Sequence, residues 1–351
     1  MTLVSPILRT RCWYIKLTNW EYWPSWTFYV PVWIQHFWLS IKVKNLFFFL
    51  ATNPVIDGFI LSDSKFKTLQ MVPDKYRPKS IYVDSGSTQG QVLEWMQKKA
   101  IGFPVVLKPD IGFRGIKVSR VDNEIMLRDT LTEMRVPHIL QEYIAHPLEL
   151  GIFYYRYPNE DRGNIPSITI KEFLSVEGTG RDTLKELVFQ NPRAILQKEK
   201  IKNQFNTFWD VVLAKGEKLK LEAIGNHNLG TKFRNGNHLL DDKLLEVFDE
   251  LSFKMNGFYF GRFDIKANSL EDIKLKKEFK ILEVNGVGGE PTHIYDPDHS
   301  FVDACSDLCF IWRVAAKIAC LNFKEGIRKP TYQHARRKWL LYTAYKSKLL
   351  A

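Results

Sequence analysis

Apolar and polar positions in the middle of the chain follow two different periods, which together predict interleaved strands and helices. Apolar runs and two-residue alternation predict strands over residues 103–109, 116–121, 138–144, 150–157 and 167–176. Apolar positions three to four residues apart predict helices over residues 89–102, 123–134, 299–322 and 331–350. We expect Gly102 to cap the first helix. Short strands between helices predict an α+β or α/β fold.

The chain divides into four parts by this pattern and by composition. We expect an aromatic, basic segment over residues 1–50, a short region over 51–95, the main α+β domain over 96–323 and a basic helix over 324–351. The four cysteines form no CxxC pair, which disfavours a disulfide framework and a zinc knuckle. No secretion signal begins the sequence, so we expect a cytoplasmic protein.

Residues 20–50 are unusually aromatic, with twelve Phe, Trp or Tyr in 31 positions. A run of 20 uncharged residues separates Glu21 from Lys42, which is about the length that crosses a bilayer. Two prolines, Pro24 and Pro31, interrupt that run, and Trp and Tyr prefer the membrane interface to its centre. Three alternatives follow: the segment lies in a membrane interface, packs on the main domain, or spans the bilayer.

The net charge of +11 is concentrated at the two ends of the chain. Residues 1–50 carry +4 and residues 324–351 carry +7, so the 273 residues between them are neutral overall. This distribution suits an anionic membrane surface better than a nucleic-acid groove. We therefore expect peripheral attachment to the inner face of a membrane, and we expect no nucleic-acid partner.

One candidate phosphate site follows the predicted strand 103–109. Lys108 ends this strand, and Gly112 and Gly115 bracket the loop after it. Glycine loops let backbone N–H groups close over an anion, while a nearby lysine supplies positive charge. By itself the pattern is equally that of an ordinary hairpin.

A candidate metal site lies on two later strands. Arg262 and Asp264 share one face of the first strand, and Glu283 and Asn285 share one face of the second. Oxygen ligands on neighbouring strands suit magnesium bound with phosphate. A surface ion pair is the alternative, but Glu283 lies in the apolar run ILEV, where a buried acid needs a strong partner.

A third motif, QEYIAHPLEL, combines an extended segment with an acid beyond a turn. Taken together and in this order, the three motifs resemble the ATP-grasp superfamily over about residues 95–295. Members of that superfamily join a carboxylate to an amine or a related nucleophile through an acyl-phosphate. The resemblance implies an ATP-grasp fold, in which two α+β subdomains grip ATP.

The resemblance also implies roles for individual residues. Lys108 would hold the α- and β-phosphates under the Gly112–Gly115 loop. Glu142 and the backbone of Ile144 would bind adenine, and Glu149 would bind ribose. Lys117 stands where the family's loop often carries another glycine, which is a departure from the pattern.

The remaining implied roles concern metal and catalysis. Asp264, Glu283 and Asn285 would hold two Mg²⁺ ions, for which Mn²⁺ could substitute. Arg262 would face the transferred phosphoryl group, and Lys171 is a weaker match to the family's second phosphate lysine.

Residues 174–194 look like a segment of amino-acid and peptide ligases of the cyanophycin-synthetase and glutathione-forming kind, with a helix capped near Asp182 or Thr183. Few residues precede the ATP-grasp region, which weakens D-alanine–D-alanine ligase as a substrate model. Substrate contacts are expected from the loop 225–236 and the loop after Asn285, namely from His227, Lys232, Arg234, Glu290 and His293. A polar surface loop, or a buried Glu–His pair, explains these residues equally well.

The sequence therefore predicts an ATP- and Mg²⁺-dependent ligase for a small carboxylate, such as an amino acid or peptide, and an amine. Two alternatives stay open. One is an ATP-dependent small-molecule kinase with the same fold. The other is a non-catalytic nucleotide-binding protein at a membrane surface.

Overall fold

The computed structural model describes residues 6–56, 62–112 and 115–351. The first five residues of the aromatic segment and the middle of the Gly112–Gly115 loop therefore lie outside the described residues. The strands are β1 (Ser80–Val83), β2 (Val105–Pro109), β3 (Ser119–Val121), β4 (His138–Glu142), β5 (Leu148–Tyr155), β6 (Asn164–Glu172), β7 (Ser175–Glu177), β8 (Lys218–Lys220), β9 (Lys232–Asn235), β10 (Phe260–Ala267) and β11 (Phe279–Asn285).

Helices precede, separate and follow these strands along the chain. They are α1 (Pro6–Thr18), α2 (Trp26–Val43), α3 (Lys65–Gln70), α4 (Gln89–Lys99), α5 (Glu124–Glu133), α6 (Leu184–Gln190), α7 (Lys198–Gln204), α8 (Asp242–Lys254), α9 (Leu270–Lys274), α10 (Phe301–Lys324) and α11 (Tyr332–Leu350). The predicted helices and strands of the main domain are present with ends shifted by a few residues, except that the predicted strand over 167–176 is divided between β6 and β7, which belong to different sheets.

The strands form three sheets in which every pair is antiparallel. A four-stranded sheet has the order β1-β4-β2-β3, and a five-stranded sheet has the order β11-β10-β5-β6-β9. The third sheet pairs β7 with β8. Antiparallel sheets with helices packed on them make the fold α+β, and this prediction is confirmed.

The five-stranded sheet separates an apolar core from a polar face. Side chains alternate along each strand, so Ile152 of β5 and Phe263 of β10 point into a core shared with Phe248 of α8. Arg262 and Asp264 are the neighbours of Phe263 in β10 and therefore point to the opposite face. That polar face becomes one wall of the cleft described below.

The four-stranded sheet packs on α4 and α5 through a separate core that includes Val92, Leu107 and Leu127.

Gly102 does not cap α4, contrary to prediction. Ala100 takes the left-handed position instead, at φ 50°, and its N–H donates to Gln97 O. The cap prediction for α6 is confirmed, because Thr183 and Glu186 form a capping box there.

Strand β3 begins at Ser119, three residues later than predicted. Gly115 and Lys117 both have positive φ, at 72° and 55°, so the chain is still turning there and cannot enter the ladder. Lys117 thus has a backbone conformation that favours glycine, at the position where the family's loop often carries one.

The aromatic segment packs on the main domain through one side of α2. Phe28 and Val32 of α2 and Phe48 after it lie in a core with Leu308 of α10. The other side of α2 is exposed. No helix within the described ranges is long and apolar enough to cross a bilayer.

The described part of the region 51–95, residues 51–56 and 62–95, packs on the main domain. Strand β1 pairs with β4, and Leu69 of α3 is buried in the core of the five-stranded sheet. The four-part division of the chain stays a prediction.

Asn53 ties this region to the start of β10. Its Oδ1 accepts hydrogen bonds from the backbone N–H of Tyr259, at 2.8 Å, and of Phe260, at 3.0 Å. Its Nδ2 donates to Phe260 O at 2.7 Å, and the side chain is buried.

Replacing Asn53 by Ala should leave these buried backbone groups without partners. We expect Asn53→Ala to lower the free energy of unfolding by about 2–4 kcal/mol, measured by urea denaturation. The matched control is Asn203→Ala on an exposed position of α7, which should change it by less than about 0.5 kcal/mol. Equal losses in both variants would contradict this role of Asn53.

Candidate active site

A cleft of about 750 Å³ lies between the four-stranded and five-stranded sheets. This volume is within the usual range for ligand pockets. Lys108 of β2 and Gln141 of β4 line it from one sheet, and Lys171, Asp264 and Glu283 line it from the other. Most of the residues implicated by the three sequence motifs therefore meet in one place.

The register of β10 with β11 assembles the predicted metal residues. Asp264 pairs with Glu283 and Arg262 pairs with Asn285. Paired residues of an antiparallel ladder share a face of the sheet. Asn285 Nδ2 donates to Asp264 Oδ2 at 3.0 Å, so the four side chains form one polar group.

Two cations hold the Asp264 carboxylate. Arg262 Nη2 donates to Asp264 Oδ2 at 3.1 Å, and Lys171 Nζ lies 2.9 Å from Oδ1. Burial alone would raise the pKa of Asp264, but Arg262 and Lys171 together hold it below its ordinary value. The carboxylate is therefore charged at neutral pH.

Asp264, Glu283 and Asn285 fit a hard cation. All three offer side-chain oxygens, the donor type that Mg²⁺ prefers. Asp264 Oδ1 is buried and, despite its closeness to Lys171, accepts no well-directed hydrogen bond. That oxygen is the natural point of attachment for a metal ion.

Lys65 of α3 joins this cluster, although the sequence motifs do not include it. Its Nζ lies 2.5 Å from Glu283 Oε1. Burial would raise the pKa of Glu283, but Lys65 and Lys108 lower it below its ordinary value. Nothing in the sequence near Lys65 signals this role, because its partner follows about two hundred residues later.

Lys108 crosses the cleft between the two sheets. Its Nζ donates to Leu282 O of β11 at 2.9 Å and to Gln141 Oε1 of β4 at 3.2 Å. Burial lowers the pKa of Lys108 to about 8, against the opposing effect of Glu283. Gln141, rather than its predicted neighbour Glu142, shares the side of the sheet on which Lys108 lies.

The residues implied for adenine and ribose also lie along the cleft, each with a partner of its own. Glu142 Oε1 accepts the backbone N–H of Lys79 at 2.9 Å, and Ile144 O accepts Lys266 Nζ at 3.0 Å. Glu149 is buried and accepts Lys171 Nζ at 2.9 Å. Its ribose role stays a prediction, since this contact places it beside Asp264.

The glycine loop meets the 225–236 loop across the cleft. Gly112 and Gly115 both line the cavity. A Cβ at Gly115 would lie 2.7 Å from Asn226 Nδ2, so the Asn226 side chain would have to move. The positive φ of 72° favours glycine at this position.

His227 lies at the end of the cleft that the N-terminal segment closes. His227 Nε2 lies 2.9 Å from Glu21 Oε2, and Arg193 Nη2 lies 2.7 Å from both oxygens of Glu21. Burial would raise the pKa of Glu21, but His227 and Arg193 hold it below its ordinary value. Tyr22 and Trp23 continue this wall.

Glu290 also lines that end of the cleft. Its two oxygens accept hydrogen bonds from Tyr29 OH at 2.6 Å and from Tyr295 OH at 2.7 Å. Tyr29 belongs to α2, so the aromatic segment orients this carboxylate directly. The sequence motifs did not connect the segment with the site.

Three predicted substrate residues do not line the cavity: Lys232, Arg234 and His293. Arg234 Nη1 pairs with Asp296 at 3.0 Å and with Asp298 at 2.7 Å. His293 is buried between Ser167, at 2.7 Å, and Asp307, at 3.0 Å, rather than paired with Glu290. Their substrate roles stay predictions without a contact that supports them.

Two antiparallel sheets that hold a charged cleft between them are the arrangement that the resemblance to the ATP-grasp superfamily implies. The chain has two such sheets with a charged cleft between them, which agrees with the architecture that the resemblance implies.

Comparison with known proteins finds no matching family model and no matching curated protein. Many solved structures are similar, including three ligases. A bifunctional glutathione synthetase from Pasteurella multocida is 16% identical with a TM-score of 0.37, and the match covers 70% of this chain and 35% of that one. The VanG D-Ala:D-Ser ligase from Enterococcus faecalis is 14% identical with a TM-score of 0.40, covering 71% of this chain and 61% of that one.

The third is the D-alanine–D-alanine ligase from Bacillus anthracis, 13% identical with a TM-score of 0.41, covering 75% of this chain and 69% of that one. The chain thus spans less than two thirds of the first two proteins. Because every TM-score is below 0.5, we take the function from the cleft residues and not from these names.

Lys108 should give nucleotide binding a pH dependence. Its pKa is lowered to about 8, so the charged form that attracts phosphate is present below that pH and is lost above it. We expect the affinity for MgATP, measured by titration calorimetry, to fall about tenfold between about pH 7.5 and about pH 9. Lys108→Arg keeps its charge and should show a flat profile. The same slope in both proteins would contradict this assignment.

Proposed function

We propose that this chain is an ATP- and Mg²⁺-dependent ligase that joins a small carboxylate to an amine through an acyl-phosphate. One observation carries the proposal: carboxylates and cations that are buried or half-buried contact one another in the cleft. Asp264 contacts Arg262 and Lys171, and Glu283 contacts Lys65.

Such an arrangement is costly unless a ligand uses it. Burying ion pairs costs desolvation energy that their mutual attraction often fails to repay. A nucleotide bound with a metal ion carries both kinds of charge. Each carboxylate and each cation of these pairs could therefore exchange its present partner for the metal ion or for a phosphate. The carboxylates would then bind the metal, and the lysines would bind the phosphates, so each charged group keeps a partner of opposite charge.

Lys108 and Lys171 would hold the phosphates from the two opposite sheets. Lys108 comes from β2 and is buried, and Lys171 comes from β6 with a side chain that is 8% exposed. Gly112 and Gly115 would close over the phosphates, and the strand end at Glu142–Ile144 would lie along adenine. Asp264, Glu283 and Asn285 would hold Mg²⁺, which when bound neutralises charge on the phosphates.

The reaction would proceed in two steps. A substrate carboxylate oxygen attacks the γ-phosphorus of ATP, ADP leaves, and an acyl-phosphate forms. The amine nitrogen then attacks the acyl carbon, the C–O bond to phosphate breaks, and the nitrogen loses a proton as phosphate leaves. Arg262 lies where it could stabilise charge on the phosphoryl group in the first step and on the tetrahedral intermediate in the second.

The substrate end of the cleft has chemistry that suits this pair. Glu290 presents a carboxylate oriented by Tyr29 and Tyr295, which suits an ammonium group. His227 and Arg193 lie near Glu21 on the same side of the cavity. These residues support a zwitterionic substrate, such as an amino acid or a peptide.

Phosphate release across a panel of amino acids, dipeptides and amines tests this function. We expect MgATP turnover to require one carboxylate, and hydroxylamine to trap the acyl-phosphate as a hydroxamate. Asp264→Asn should reduce turnover by about a hundredfold or more. Asp242→Asn, on an exposed turn of α8, is the matched control and should leave the rate unchanged.

The possible outcomes separate the alternatives. A stable phosphorylated product without phosphate release would show a kinase instead of a ligase. Stabilisation of the folded protein by MgATP without any turnover would favour a non-catalytic nucleotide-binding protein. Circular dichroism of Asp264→Asn checks that the variant folds, and Asn285→Ala, which removes a less buried ligand, provides a second loss-of-metal variant.

A further inference from the structure

Helix α2 has two faces of opposite environment. Phe28, Val32 and Val43 are buried against the main domain. The opposite face carries six large apolar side chains that are each 54–60% exposed, namely Trp26, Trp33, Ile34, Phe37, Trp38 and Ile41. At 100° per residue, these six lie within an arc of about 140° on the helix.

This exposed face is continuous along the helix. It extends over four turns, or roughly 22 Å at 1.5 Å per residue. Three tryptophans within so small an area are far from the scattered single apolar residues normal on a protein surface. A contiguous apolar face of this kind marks a surface that another apolar phase covers.

Basic residues follow the apolar face along the chain. Lys42 and Lys44 are exposed at the C-terminal end of α2. Glu21 is the one acid among the first 50 residues, and it is buried against Arg193. The exposed charge of this segment is therefore positive.

Helix α11 extends this basic surface. Asn45 Nδ2 donates to Pro330 O at 2.8 Å, and the rings of Phe47 and Tyr332 lie 6.3 Å apart, so α11 begins where α2 ends. From there α11 exposes two arginines beside two leucines, namely Arg336, Arg337, Leu340 and Leu341. Alternating basic and apolar side chains of this kind suit lipid headgroups above acyl chains.

We propose that the exposed face of α2, together with α11, binds the interface of an anionic lipid bilayer. The helix lies in the plane of the membrane, with its tryptophans at the level of the headgroups, and the buried face keeps it attached to the main domain. Charge complementarity selects a bilayer over a second copy of this chain, because a second copy would bring equal positive charge to the contact.

Point substitutions on the exposed face test the proposal in the full chain. We expect the protein to float with vesicles of phosphatidylglycerol and phosphatidylcholine, and to bind less to pure phosphatidylcholine or at high salt. Trp33→Glu with Phe37→Glu should weaken binding at least about tenfold. The matched control is Ile125→Glu with Phe208→Glu, since these two side chains are 64% and 56% exposed elsewhere and should not matter.

A second pair of substitutions tests the charge. Arg336→Glu with Arg337→Glu should weaken binding to the anionic vesicles and leave the weak binding to neutral vesicles unchanged. Absence of binding by the native protein to anionic vesicles would overturn the proposal, as would equal binding by the Trp33/Phe37 variant. A dimer that this variant dissociates, without vesicle binding, would assign the face to a second copy.

Discussion

The arrangement of the cleft depends on two like charges that lie opposite each other on neighbouring strands. The ladder between β10 and β11 places Asp264 opposite Glu283 within a largely buried cleft. Neither carboxylate could remain charged there without nearby cations. Lys171 comes from the same sheet, Lys108 from the facing sheet, and Lys65 from a helix that precedes both. The cations that neutralise this pair thus come from three separate parts of the chain and meet at one point between the sheets.

This dependence explains which parts of the site the sequence could predict. Residues on one face of a strand are two positions apart, and this spacing predicted the pairs Arg262 with Asp264 and Glu283 with Asn285. Lys65 has no such signal, because its role arises only when α3 packs against β11. The same limit applies to Arg234 and His293, whose polar character was visible while their partners, Asp296 and Asp307, were not. The α+β class was predictable because strand and helix periods are local, whereas the antiparallel strand order depends on contacts between distant segments.

The aromatic segment shows a related limit. A count of uncharged residues between Glu21 and Lys42 treats the segment as uniform, and it suggested a membrane span among the alternatives. In the structure, the helix that this segment forms has one face in the protein core and another face outside it. Packing on the body and attachment to a membrane were posed as alternatives, yet a helix with two apolar faces is compatible with both at once. Only the three-dimensional arrangement assigns each aromatic residue to its side.

The wall that the N-terminal segment forms at the cleft has a consequence for the modularity of this protein. Glu21 is joined to Arg193 and His227, and Tyr29 is joined to Glu290, so side chains from the beginning of the chain complete a pocket built some two hundred residues later. The region that resembles the ATP-grasp superfamily is consequently not an excisable module. Truncation at residue 50 would separate the cleft from one of its own walls.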